Sequence, residues 1–85
     1  MITRETVRDK LMAYLNRHLT LADLVDWAEG ALLNEALDER DAAVLRDIVG
    51  RIGMADVREF GLTWEDCYDF LARLGYIVEV KAVPA

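Results

Sequence analysis

The stretch Leu19-Thr20-Leu21-Ala22-Asp23-Leu24 carries the signals that start an α-helix. The hydroxyl of Thr20 can cap the first turn, and Asp23 stands three residues later, where an acidic side chain completes a variant capping box. Leu19 and Leu24 occupy the two positions of a hydrophobic staple, which fixes how the chain enters the helix. This segment therefore predicts a helix that begins just after Thr20.

The same start signal appears twice more, with Asp38 after Leu37 and Thr63 after Leu62. A further helix is expected to start after Thr3. Within each segment the apolar residues recur every three or four positions, which is typical of a helix with one buried face. We predict four main helices, over residues 4–17, 21–34, 39–52 and 64–74.

Four of the glycines lie at the ends of the predicted helical segments or interrupt them. Gly53 and Gly75 follow predicted helices, where a left-handed residue often ends the helix, and Gly61 closes a short helical turn over residues 55–60. Gly30 interrupts the second helix, at a cost of about 1 kcal/mol relative to alanine. We interpret Gly30 as a point where another helix packs closely.

The segment Tyr76–Val83 has a different character, because it is rich in β-branched residues and ends at Pro84. It predicts a C-terminal β-strand at about residues 76–83. A lone strand leaves backbone groups without partners, so it is expected to pair with residues 1–3, with a second copy or with another protein. The predicted fold is mostly α: a small four-helix bundle with a short helical turn and a C-terminal strand.

The totals describe one small domain over residues 1–85, with 54% hydrophobic residues. No apolar run approaches the roughly 20 residues needed to cross a bilayer, and the charged amino terminus does not resemble a signal peptide. The single cysteine, Cys67, excludes an internal disulfide. We expect a cytoplasmic protein that does not bind membranes.

The net charge is −6, and residues 19–47 alone hold eight acids against Arg40 and Arg46. A field of this sign repels phosphate backbones and attracts basic surfaces. Nucleic-acid binding is therefore not expected, and a basic protein is a favoured partner.

The residues that usually carry catalysis are scarce. His18 and Cys67 are the only histidine and thiol, the chain has no serine, and no glycine-rich phosphate loop is present. A zinc site needs three or four nitrogen or sulfur ligands. Cys67 falls on the apolar face of its helix, where cysteine is usually inert. We predict no catalytic residue, metal or cofactor.

The interpretation that remains is a small acidic protein-interaction module that binds another protein or itself. An alternative is an inhibitor of the immunity or antitoxin type, which would mask a basic active site. An oligomeric enzyme with shared sites is the third and least favoured reading. Trp27 and Phe70 flank the apolar faces of their helices, so they belong either to the core or to an interface. The candidate partner-binding residues are Asp23, Asp26, Trp27, Glu29, Asp38, Phe70, Tyr76, Val78 and Val80.

Overall fold

In the computed structural model, residues 1–57 and 61–85 are described, and they confirm the mostly helical prediction. The elements in these ranges are α1 (Arg4–Leu15), α2 (Leu21–Asn34), a 3₁₀ turn (Glu39–Asp41), α3 (Ala42–Gly53) and α4 (Trp64–Arg73). No described helix is long and apolar enough to cross a membrane.

The predicted threonine caps are present. Thr20 Oγ1 accepts a hydrogen bond from the backbone N–H of Asp23 at 3.1 Å. Thr63 and Asp66 form a reciprocal capping box, in which each side chain accepts a bond from the other residue's backbone N–H, at 3.0 and 2.9 Å. Thr3 caps α1 with Thr6 in the same reciprocal manner. These bonds satisfy helix N–H groups that have no partner within the helix.

Two helices end in the same hydrogen-bond pattern, although only one of them ends with a glycine. Gly75 (φ 95°) follows α4, and the N–H of Tyr76 donates back to the carbonyl of Leu71 at 2.9 Å. After α1 the left-handed residue is Arg17 (φ 63°), and the N–H of His18 donates to the carbonyl of Ala13 at 2.8 Å. Both ends are Schellman motifs. The prediction for Gly75 is confirmed.

Three boundary predictions need correction. The third helix begins at Ala42 instead of residue 39, because Asp38 caps the 3₁₀ turn that precedes it. The first helix stops at Leu15 instead of residue 17, because Arg17 takes the left-handed conformation, and His18 is consequently exposed. Gly53 is the last residue of α3 and not a left-handed terminator, since the C-cap is Met54 with φ −100°. The predicted turn over 55–60 lies partly outside the described residues. Within them, a turn at 54–56 follows α3.

One hydrophobic core joins the helices, and α2 packs most extensively on α3. Ile2 also belongs to this core, with only 1% of its surface exposed. Its N–H donates to the carbonyl of Ala36, and its carbonyl accepts from the N–H of Asp38, both at 2.8 Å. The amino terminus thereby pairs with the α2–α3 connection at a single parallel bridge to Leu37. The principal fully buried side chains are Val7, Leu11, Leu24, Leu45, Ile48, Val49, Ile52, Cys67 and Leu71.

The predicted C-terminal strand is not found within the chain: residues 76–83 form no strand with any described residue. One proposed partner, residues 1–3, is already bridged to the α2–α3 connection. The tail, defined here as residues 76–85, instead packs through side chains. Tyr76 and Val78 are half-buried against the core, whereas Ile77 between them is 94% exposed.

Candidate protein-binding surfaces

The outer side of α2 carries three of the predicted partner-binding residues. Asp23, Asp26 and Glu29 are exposed, and no ion pair among the described residues involves them. At 100° per residue they fall within an arc of about 120°, together with Gly30 and Leu33. Leu33 is 83% exposed, and α2 contains no basic residue. We call these five residues the acidic face of α2.

Gly30 lies in this face without a packing reason inside the described chain. Apart from its chain neighbours and the backbone of its own helix, a methyl group added at its Cα would meet no described atom within 4 Å, so the prediction that another helix packs there is wrong. Gly50, in α3, is also a helical glycine with open space at the same distance. Glycine within a helix costs about 1 kcal/mol relative to alanine. No contact in the described fold offsets this loss of helix stability at Gly30.

Trp27 lies at the border between the core and the acidic face. Its side chain is half-buried against the core, and the ammonium of Lys10 stands 5.6 Å from the centre of its ring. That distance is within the range of a cation–π contact. Trp27 therefore joins α1 to α2 and presents only part of its ring to a partner.

Two of the predicted partner-binding residues are not available at the surface. Phe70 is 8% exposed and belongs to the core, because the bundle buries a wider stripe of α4 than its central apolar residues define. Asp38 is also 8% exposed. Its carboxylate accepts hydrogen bonds from the backbone N–H and the guanidinium of Arg40, each at 3.1 Å at closest approach.

Asp38 lies in a charged cluster in which Asp38 and Asp41 are each paired with an arginine. Hydrogen bonding to Arg40 lowers the pKa of Asp38, and hydrogen bonding to Arg4 lowers the pKa of Asp41. Arg4 also donates to the carbonyl of Leu74 at 3.2 Å. This arrangement ties the 3₁₀ turn to α1 and to the end of α4, so its role is structural.

The tail forms a second surface beside α1 and α4. Arg8 holds Tyr76 by a hydrogen bond of 3.3 Å to its hydroxyl and by a cation–π contact of 5.1 Å. Further along, Val78 and Val80 line a cavity of about 130 Å³ between the tail and the two helices. The other lining residues are Met12, Leu15, Asn16, Trp64, Tyr68, Glu79 and Lys81.

Trp64, like Leu33, is a surface residue that sequence reasoning missed. Its spacing, three residues before Cys67 and seven before Leu71, puts it on the apolar face of α4, where a core position is expected, but it is 48% exposed beside this cavity. As the first residue of α4, it lies almost one turn before Cys67, the first buried residue of that helix. Its position directly after the cap was the signal that could have indicated this exposure.

The groups with nucleophilic or ligating chemistry are separated. Burial raises the pKa of the Cys67 thiol to about 11, and Cys67 is fully buried. His18 is exposed after α1. Across residues 1–57 and 61–85, no group of three or more acidic, histidine or cysteine side chains could hold a metal ion. Comparison of the chain with protein-family models, curated proteins and solved structures found no match.

Proposed function

We propose that this protein is an interaction module that binds a basic partner protein through the acidic face of α2. The observation that carries the proposal is Gly30, a helical glycine that meets open space among the described residues, as Gly50 does, but that lies beside the exposed carboxylates of Asp26 and Glu29. A partner that packs closely against the helix at this point would explain the glycine, because a side chain at position 30 would hold the partner away.

The charges around Gly30 support a basic partner. Asp26 and Glu29 flank it, and neither carboxylate is paired with a described residue. Exposed Leu33 adds an apolar contact on the same side of the helix. A mixed acidic and apolar face of this kind fits a partner surface that presents lysine or arginine around an apolar centre.

The inhibitor hypothesis is a narrower form of this proposal, in which the basic partner is an enzyme and the acidic face covers its active site. It requires that the captured partner lose its activity when this protein is bound.

The experiment is affinity capture from an extract of the cells that express the protein, with five baits compared. Wild type is expected to retain a basic protein at low salt and to release it as the salt concentration rises. Gly30→Gln and Asp26→Lys should each weaken that capture by about 10-fold or more, through obstruction and charge repulsion respectively.

Two matched control variants distinguish the effect of a change on the acidic face of α2 from the effect of the substitution itself. Gly50→Gln makes the same substitution on α3, and Asp69→Lys makes the same charge reversal at an exposed residue of α4. Both should capture the partner as wild type does. Equal capture by all five baits, or capture of nothing by wild type, would overturn the proposal.

A further inference from the structure

We infer that the tail pairs with the tail of a second copy of this chain, as an antiparallel two-stranded ribbon centred on Val80. This inference goes beyond the proposed function and stands independently of the acidic face of α2, since it uses different residues.

The first residues of the tail alternate in burial as those of a strand do, but the tail has no strand partner in the described chain. Tyr76 and Val78 turn toward the core, while Ile77 is 94% exposed and the Glu79 side chain is 74% exposed, so successive side chains point to opposite sides. Glu79 and Lys81 lie on the same side, with their charged atoms 3.7 Å apart. Beyond Tyr76, no backbone hydrogen bond joins the tail to a described residue.

The sequence of the tail is complementary to itself when it is read in the opposite direction. Antiparallel pairing centred on Val80 places Glu79 opposite Lys81 of the second copy, and Lys81 opposite its Glu79. The same register places Ile77 opposite Val83, two residues that are 94% and 80% exposed in the single chain. Directly opposed charges and β-branched pairs both stabilise antiparallel strands.

The other side of this ribbon agrees with the same register. Val78 meets Ala82 of the second copy, and Val80 meets its own counterpart at the two-fold axis. This side is apolar, and in the single chain Val80 is 72% exposed. Pairing therefore covers apolar surface and satisfies open backbone groups with one symmetric, closed contact.

The experiment is sedimentation equilibrium of the full chain over a concentration series. Because a short two-stranded ribbon is a small interface, we expect a Kd of about 100 µM and a mass that rises from 9.7 kDa toward twice that value. Glu79→Lys and Lys81→Glu each place like charges opposite one another twice, so each should weaken self-association by about 10-fold.

The decisive sample is an equal mixture of these two variants. Glu79→Lys makes positions 79 and 81 both basic, and Lys81→Glu makes them both acidic, so the mixture should dimerise more strongly than either variant alone. Both side chains are about three-quarters exposed, so the substitutions leave the core intact. A wild-type mass that stays at 9.7 kDa throughout, or a mixture no more associated than its components, would overturn the inference.

Discussion

Arg4 and Asp41 form a two-pronged ion pair between the first turn of α1 and the 3₁₀ turn before α3. Arg4 Nε donates to Asp41 Oδ2 at 3.1 Å, and Nη2 donates to Oδ1 at 2.8 Å. The third guanidinium nitrogen donates to the carbonyl of Leu74. One side chain therefore holds three elements together, and Asp41, which precedes α3, makes no capping bond to that helix.

This pairing predicts that the protein loses stability in acid. The pKa values of Asp38, Asp41 and Asp66 are all lowered, by hydrogen bonds from Arg40, Arg4 and the backbone of Thr63 respectively. In the unfolded chain these carboxyls titrate near about 3.9. Their contribution is complete above that value and is lost as the pH falls toward the lower folded-state pKa values. Urea unfolding should therefore show a falling free energy of unfolding below about pH 4.

The variant Asp41→Asn isolates one of these contributions. It should be less stable than wild type at neutral pH and should lose less of its remaining stability on acidification. Asp69→Asn, at an exposed residue outside the ion pairs of the described chain, is the matched control. An Asp41→Asn variant with the full acid sensitivity of wild type would contradict this account.

Arg17→Gly should stabilise the protein. Arg17 holds the left-handed conformation (φ 63°) that a side chain with a Cβ disfavours, and glycine removes that strain. We expect the free energy of unfolding to rise by about 1 kcal/mol, measured by urea denaturation. Asn16→Gly is the control, since Asn16 has φ −86° and glycine there only loosens the unfolded chain. Equal gains from both substitutions would argue against relief of strain at Arg17.

Gly75→Ala should have the opposite effect. Gly75 has φ 95°, and the added methyl group would also lie 3.5 Å from Nη1 of Arg4, which is ordinary contact distance. The loss therefore comes from the backbone conformation, and we expect about 1–2 kcal/mol in thermal or urea unfolding. Unchanged stability would show that the end of α4 can take another conformation.

The sequence predicted those features that depend on neighbouring residues. The helix starts followed from Thr20 and Thr63, because a cap bonds within its own first turn. The placement of Asp23, Asp26 and Glu29 together on one side of α2 followed from the helical period. The end of α1 did not follow, since Arg17 takes a conformation that its residue type disfavours.

The features that the sequence left open or missed depend on distant contacts. Phe70 is buried because the bundle is wide, and Asp38 is covered because the amino terminus pairs with the segment around Leu37. The tail has the composition of a strand, but a strand also needs a neighbour, and composition does not supply one within a single chain. The exposure of Trp64 was missed because the apolar period of α4 extends almost one turn beyond the part of the helix that is buried.

Cys67 should resist thiol reagents in the folded protein. It is fully buried and its pKa is raised to about 11, so at pH 8 it holds little thiolate. Labelling with iodoacetamide, followed by mass spectrometry, should be about 100-fold slower or more than for the urea-unfolded chain. Leu24→Ala, which removes fully buried side-chain volume and costs about 2–5 kcal/mol, should accelerate labelling by raising the unfolded fraction. Rapid labelling of native wild type would show that Cys67 is accessible.

Gly30→Ala and Gly50→Ala should each stabilise the isolated protein by about 0.5–1 kcal/mol in urea denaturation. At both positions the added methyl group meets no side chain or neighbouring element of the described chain within 4 Å, so the gain comes from helix propensity alone. Gly53→Ala is the contrasting case, because its methyl group would lie 3.8 Å from Ala28 Cβ. A change in the free energy of unfolding that differs from those at Gly30 and Gly50 would therefore report packing between α2 and α3. Equal gains at Gly30 and Gly50 would establish that glycine at position 30 lowers the stability of the fold. A gain at Gly50 without one at Gly30 would instead show that α2 itself needs the glycine, and would remove the main support for a partner at this face.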